Sequence, residues 1–200
     1  MAAARVLMRL NMETRVHHAD VDATWHALLT FNVTRRQYAE QLIRVYGFEA
    51  PLEGALAYMP GLDYRERTRS GLLVEDLLVL GYTPDQIAQL RQCPAIVPFR
   101  EIAEALGWLY ALERSALLHD MLRKHLVSRM PELGRACSYL AASEGAANKR
   151  WRDFGHLLDR VASASEDGVV DAARAALCCQ GSWYREPVAR PRRDSDPIET

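Results

Sequence analysis

Glu13-Thr14-Arg15-Val16-His17-His18-Ala19-Asp20-Val21-Asp22 lies in a longer run whose apolar residues recur every three or four positions. Leu7, Leu10, Thr14, His17 or His18, Val21, Trp25 and Leu28 trace one side of that run, the spacing of an amphipathic helix with an imidazole on its inward face. Adjacent helix positions differ by only about 100°, so helical phase does not choose between His17 and His18. Neighbouring histidines near a chain start are ordinarily surface or half-buried residues.

Spacing of three and four continues along the chain, and strand-like alternation is scarce. Asn32-Val33-Thr34 breaks the first helix, and Thr34 is a natural cap for the next, expected from residue 35 to 48 or beyond with a bend near Pro51. Met59-Pro60-Gly61 reads as a turn, 62–80 as a helix closed by Gly81, and Thr83-Pro84-Asp85 as the start of a short helix. After a loop at 93–98, one long helix is expected over 99–130. Further helices are expected over 148–165 and 169–183, separated by a turn at Asp167-Gly168. The expected architecture is all-α, around eight helices in one domain spanning residues 1–186. The proline- and charge-rich segment 187–200 is expected to be a disordered tail.

The 200 residues are 49% hydrophobic and 26% charged, which suits a globular core and argues against disorder. A formal net charge of −1 gives no reason to expect nucleic acid or an anionic membrane surface as partner. No apolar run is long enough to cross a bilayer, and the start lacks a secretory signal, so a cytoplasmic protein is expected. Cys93, Cys137, Cys178 and Cys179 form no Cys-x-x-Cys pair, which argues against zinc and for reduced thiols. Cys178 and Cys179, being adjacent, point to different sides of a helix and make poor disulfide partners for each other. Nucleophile elbows, phosphate-cradling glycine loops and the paired Glu-x-x-His of di-iron bundles are absent.

Several frames recur in order along the chain: Thr14, His18, Val21 and Asp22; Tyr38, Leu42, Tyr46, Phe48 and Pro51-Leu52-Glu53; Glu75-Asp76-Leu77 with Leu80-Gly81. They continue with Gly107-Trp108-Leu109-Tyr110-Ala111-Leu112-Glu113 and Trp151-x-x-Phe154. In order and spacing the chain resembles the biliverdin-forming heme oxygenases of bacterial type, over nearly its whole length. The resemblance implies a single-domain multi-helical fold and selects His18 over His17 as the iron ligand. It implies heme as both substrate and cofactor, cleaved with dioxygen to biliverdin, iron and carbon monoxide. Electrons would come from an external donor of ferredoxin or reductase type.

One stretch departs from the family pattern. Where the family has Gly-Ser-x-Leu-Gly-Gly or a close variant, this chain reads Arg114-Ser115-Ala116-Leu117-Leu118-His119, with none of the three glycines. Those glycines let a helix bend closely over the heme face. Three outcomes are open: the helix sits farther from the heme, His119 becomes a second axial ligand, or the side chains fill the pocket and exclude heme. The last two favour an alternative function, heme binding or protein interaction without turnover. Ser115 matches a family serine and is the catalytic candidate, although a helix hydroxyl also bonds its own backbone. Arg114 is placed either at a heme propionate or in a surface ion pair. Arg152, next to Trp151, is the best positional match for the propionate cation, with Lys149, Arg150 and His156 nearby. Asn11 stands where the family has its other propionate cation, with Arg15 close by. Tyr110 is expected to pack on Trp108.

Overall fold

The computed structural model describes residues 2–64, 67–145, 147–161 and 165–188. The first amphipathic run forms in two pieces, α1 (Ala2–Glu13) and α2 (Arg15–His26). Thr14 is the joint: its hydroxyl donates to the Leu10 carbonyl at 2.7 Å, a back-bond that bends helices. The next helix, α3 (Arg35–Ala57), begins at Thr34 with a reciprocal capping box to Gln37. It continues past Pro51. Proline has no N–H, so the Gly47 carbonyl one turn earlier lacks its helical donor and accepts the Cys93 N–H at 2.7 Å instead.

The helix expected over 62–80 is shorter, α4 (Ser70–Val79), because residues 62–64 are not helical. Glu53 fixes its start by accepting the N–H groups of Arg69 at 2.6 Å and Ser70 at 3.1 Å. Gly81, at φ +95°, turns the chain after it, and α5 (Pro84–Ala88) follows with a capping box at Thr83. The long helix expected over 99–130 is interrupted: α6 (Ile102–Ser115), a 3-10 turn at Ala116–Leu118, then α7 (His119–Arg129). The helix thus changes to 3-10 geometry where the family's glycines would stand, although no glycine is present there.

After a second 3-10 segment, Pro131–Ala136, comes the short α8 (Ser138–Ala141). The Asp76 carboxylate accepts the Ser138 and Tyr139 N–H groups at 2.8 and 2.9 Å. Two longer helices complete the fold, α9 (Ala147–Val161) and α10 (Glu166–Arg185). The expected turn at Asp167-Gly168 is instead the first turn of α10, where Glu166 and Asp167 complement the positive helix end. The described residues contain helices and no strand, and the fold is all-α. The expected tail lies outside the described residues from position 189 onward. No helix among the described residues is long and apolar enough to cross a membrane.

The centre of the packing is α6, which is buried along nearly its whole length and lies against α10. Gly107 sets that approach. A Cβ at this position would stand 2.5 Å from the Ala172 Cβ and 2.6 Å from the Ala173 nitrogen. Around this pair, α2 packs on α10, and α9 packs on α1 and α6.

Candidate functional site

Thr14, His18 and Asp22 recur every four residues and so share one face of the α1–α2 corner. Tyr110 and Arg114, also four apart, form the facing stripe of α6. The stripes meet on both sides of His18. Thr14 Oγ1 lies 3.2 Å from the Tyr110 hydroxyl. Both Asp22 oxygens accept from Arg114, at 2.9 and 2.6 Å. His18 is half-buried between these two bridges.

The proton positions around His18 follow from Thr14. Its single hydroxyl hydrogen is committed to Leu10, so Thr14 Oγ1 acts as acceptor toward both other neighbours. His18 Nε2–H then donates to it at 2.9 Å, and so does the Tyr110 hydroxyl. Burial pushes the His18 pKa down to about 4, with the Arg114 charge adding to the effect and Asp22 opposing it. The imidazole is therefore neutral at pH 7, the form that ligates a metal. His17 is also half-buried, so exposure alone would not have separated the two.

The residues of the stretch that departs from the family pattern have separate fates. Arg114 makes its ion pair to Asp22 with side chains only 13% and 11% exposed. Ser115 is buried, donates to the Ala111 carbonyl at 3.0 Å and accepts from Gln180 at 3.4 Å. Leu118 is partly buried. His119 is fully buried between Trp25 and Tyr139, with ring centroids at 5.7 and 4.8 Å. Its Nδ1 lies 3.1 Å from the Ser143 hydroxyl, and Nε2 is buried without a hydrogen-bond partner. Burial holds its pKa well below the usual histidine value. Arg152 sits on the exposed side of α9, while Arg150 turns inward to Glu113. Tyr110 packs on Trp151 and Phe154; the expected partner, Trp108, packs on Phe48 and Phe99.

Sequence reasoning missed a buried ionic cluster beneath the site. Glu113 Oε1 accepts from Arg67 at 2.7 Å and from Arg150 at 3.1 Å. Burial alone would raise the Glu113 pKa, but the guanidinium groups of Arg150, Arg69 and Arg67 outweigh it and hold the carboxyl below its usual value. Glu49, fully buried, accepts from the Tyr139 hydroxyl at 2.6 Å and lies 3.8 Å from the equally buried Arg69. Burial raises its pKa to about 7 against the pull of Arg69. The available signal was Glu49 and Glu53 spaced four apart on a helix face shared with Val45, Leu52 and Leu56.

The resemblance implies heme, and the donor set fits it: a neutral, half-buried imidazole on a helix facing a partner helix interrupted by a 3-10 turn, with a guanidinium beside it. The described residues hold no cluster of histidine, cysteine and carboxylate side chains able to bind a metal ion on their own. Comparison with known proteins identifies the family. Residues 4–186 match the protein family described as heme oxygenase. A heme oxygenase of Xanthomonas campestris pv. campestris is 33% identical over 145 residues, covering 68% of this chain and 81% of that protein. Heme oxygenase PigA of Pseudomonas aeruginosa is 28% identical over 175 residues, covering 84% of each chain.

Proposed function

Because this chain belongs to the heme oxygenase family, we propose that it binds heme between α2 and the α6–α7 segment and oxidatively cleaves it. His18 is the proposed iron ligand. The observation that carries this reading is the neutral His18 imidazole on the face of α2 that meets α6. Bound heme would supply the iron that activates dioxygen and the ring that is opened to biliverdin, with release of iron and carbon monoxide. An external ferredoxin or reductase would supply the electrons.

The protein's own part is to ligate, orient and enclose. His18 would hold iron as the neutral imidazole, with no net loss of a proton. To ligate through Nε2 it would carry its proton on Nδ1 instead and give up its bond to Thr14, whose oxygen would keep its Tyr110 donor. Arg114 and Asp22 bridge α6 and α2, so a flat ring entering between these helices would separate the pair. Arg152, on the exposed side of α9, is the proposed partner of a propionate. His119, wedged between Trp25 and Tyr139, braces the start of α7. Ser115, bonded to its own helix and to Gln180, joins α6 to α10 and positions the distal helix.

The test is turnover. Purified protein is loaded with hemin and given an electron donor in air; decay of the Soret band with growth of a biliverdin band and release of carbon monoxide is the expected result. A stable Soret band under reduction, with heme bound and no biliverdin, would assign the chain to heme binding without turnover.

A further inference from the structure

Away from the heme slot, the fold brings two thiols from distant parts of the chain together. The Cys93 and Cys179 sulfur atoms lie 3.6 Å apart, although the residues are 86 positions apart in sequence. Cys93 stands on the loop between α5 and α6 and Cys179 on α10. The placement is built into α3. Pro51 frees the Gly47 carbonyl to hold the Cys93 N–H at 2.7 Å. Gly47 itself leaves room for the loop: a Cβ there would stand 2.5 Å from the Arg91 carbonyl oxygen and 2.6 Å from the Trp183 ring. Trp183, one turn after Cys179, is fixed by its indole N–H donating to the Arg44 carbonyl at 2.8 Å. Arg91 closes the edge by pairing with Glu186 at 3.1 Å and lying over the Trp183 ring.

The two sulfurs are also unequal. The Cys179 thiol, and after it the nearby backbone N–H groups of Ala95 and Ile96, pull the Cys93 pKa below the usual thiol value against burial. Cys179, as the donor of the pair, is pushed up. An exchange between them takes Cys93 as the thiolate and Cys179 as its resolving partner.

We propose that Cys93 and Cys179 form a reversible intramolecular disulfide on exposure to a peroxide, a modification site that ties the 91–98 loop to α10. The Cys93 thiolate attacks one peroxide oxygen; the O–O bond breaks, and hydroxide leaves and is protonated to water. The resulting Cys93 sulfenic acid is attacked at sulfur by Cys179; the S–O bond breaks, the S–S bond forms, and the departing hydroxide takes the Cys179 proton as a second water. The two sulfurs lose two electrons and the peroxide gains two. The proposal does not depend on heme binding, and its test uses the heme-free full chain.

The experiment treats the protein with stoichiometric hydrogen peroxide, blocks remaining thiols, and maps tryptic peptides by mass. The expected product is peptide 92–100 linked to peptide 175–185, lighter by two hydrogens than the separate peptides and separated again by a phosphine reductant. Cys178→Ser should retain the linked pair, and Cys179→Ser and Cys93→Ser should abolish it. A Cys178–Cys179 bond inside one peptide, a link that persists in Cys179→Ser, or overoxidised Cys93 with no linked peptide would overturn the proposal. The wild-type peptide map decides the matter even if a variant folds poorly.

Discussion

Arg114→Ala tests how the slot is closed. In the empty protein Arg114 makes two hydrogen bonds to Asp22, at 2.9 and 2.6 Å, with both side chains largely shielded from water. A hydrogen bond between charged groups in such a setting contributes about 1.5–3 kcal/mol. A ring entering between α2 and α6 must separate the pair and lose that contribution. Alanine removes the pair from the empty state without the backbone cost that glycine would add within a helix. Since 1.4 kcal/mol corresponds to a tenfold change, hemin should bind Arg114→Ala about 10- to 100-fold more tightly. The same substitution should lower the stability of the empty protein by roughly 1–3 kcal/mol, because it leaves Asp22 without its cation. Hemin titration followed at the Soret band, with denaturant unfolding of both proteins, measures the two effects. Weaker binding by a folded variant would refute the reasoning and assign Arg114 to a propionate, and unchanged binding would show that the pair does not guard the slot.

Glu49→Gln should reveal the buried carboxyl. Its folded pKa, about 7, exceeds the model-compound value of 4.5, so its contribution to stability is present below that value and is lost as pH rises through 7. The stability of the variant relative to wild type should therefore rise by roughly 2–4 kcal/mol between pH 4.5 and 8 in denaturant titrations, and a flat difference would place Glu49 ionised in the fold. His119 acts with the opposite sign. Its folded pKa lies below the unfolded value, so stability should fall as pH drops below about 6.5, and a His119→Asn variant that keeps wild-type acid sensitivity would remove it as a cause. Gly107→Ala should cost about 1–3 kcal/mol by overpacking α6 against α10, and unchanged thermal unfolding would show that the two helices separate at little cost.

The helices were largely legible because their spacing, caps and turn residues agree with the final packing. Thr34 and Thr83 each build the expected capping box, and Gly61 and Gly81 take positive φ at the expected turns. Errors occurred where a distant side chain decides a boundary. Glu53 on α3 sets the start of α4, and no local pattern near residue 69 announces it. Apolar periodicity runs through residues 99–130, so the 3-10 turn at Ala116–Leu118 left no mark in the spacing. At the site, the four-residue repeat of Thr14, His18 and Asp22 was visible, but its mate was not. The pairing of that stripe with Tyr110 and Arg114 depends on how α2 and α6 face each other, a relation between positions 92 apart in the case of Asp22 and Arg114. The approach of Cys93 to Cys179 depends in the same way on Gly47 and Pro51, which are local to neither.

The central claim is that the imidazole of His18 holds heme iron between α2 and the α6–α7 segment. Hemin titration of the wild type, His18→Ala and His17→Ala, read by Soret position and by electron paramagnetic resonance of the ferric iron, tests it most directly. The account predicts a histidine-ligated spectrum in the wild type and in His17→Ala, lost in His18→Ala and restored there by added imidazole. A His18→Ala protein with the wild-type Soret band and resonance spectrum would contradict it.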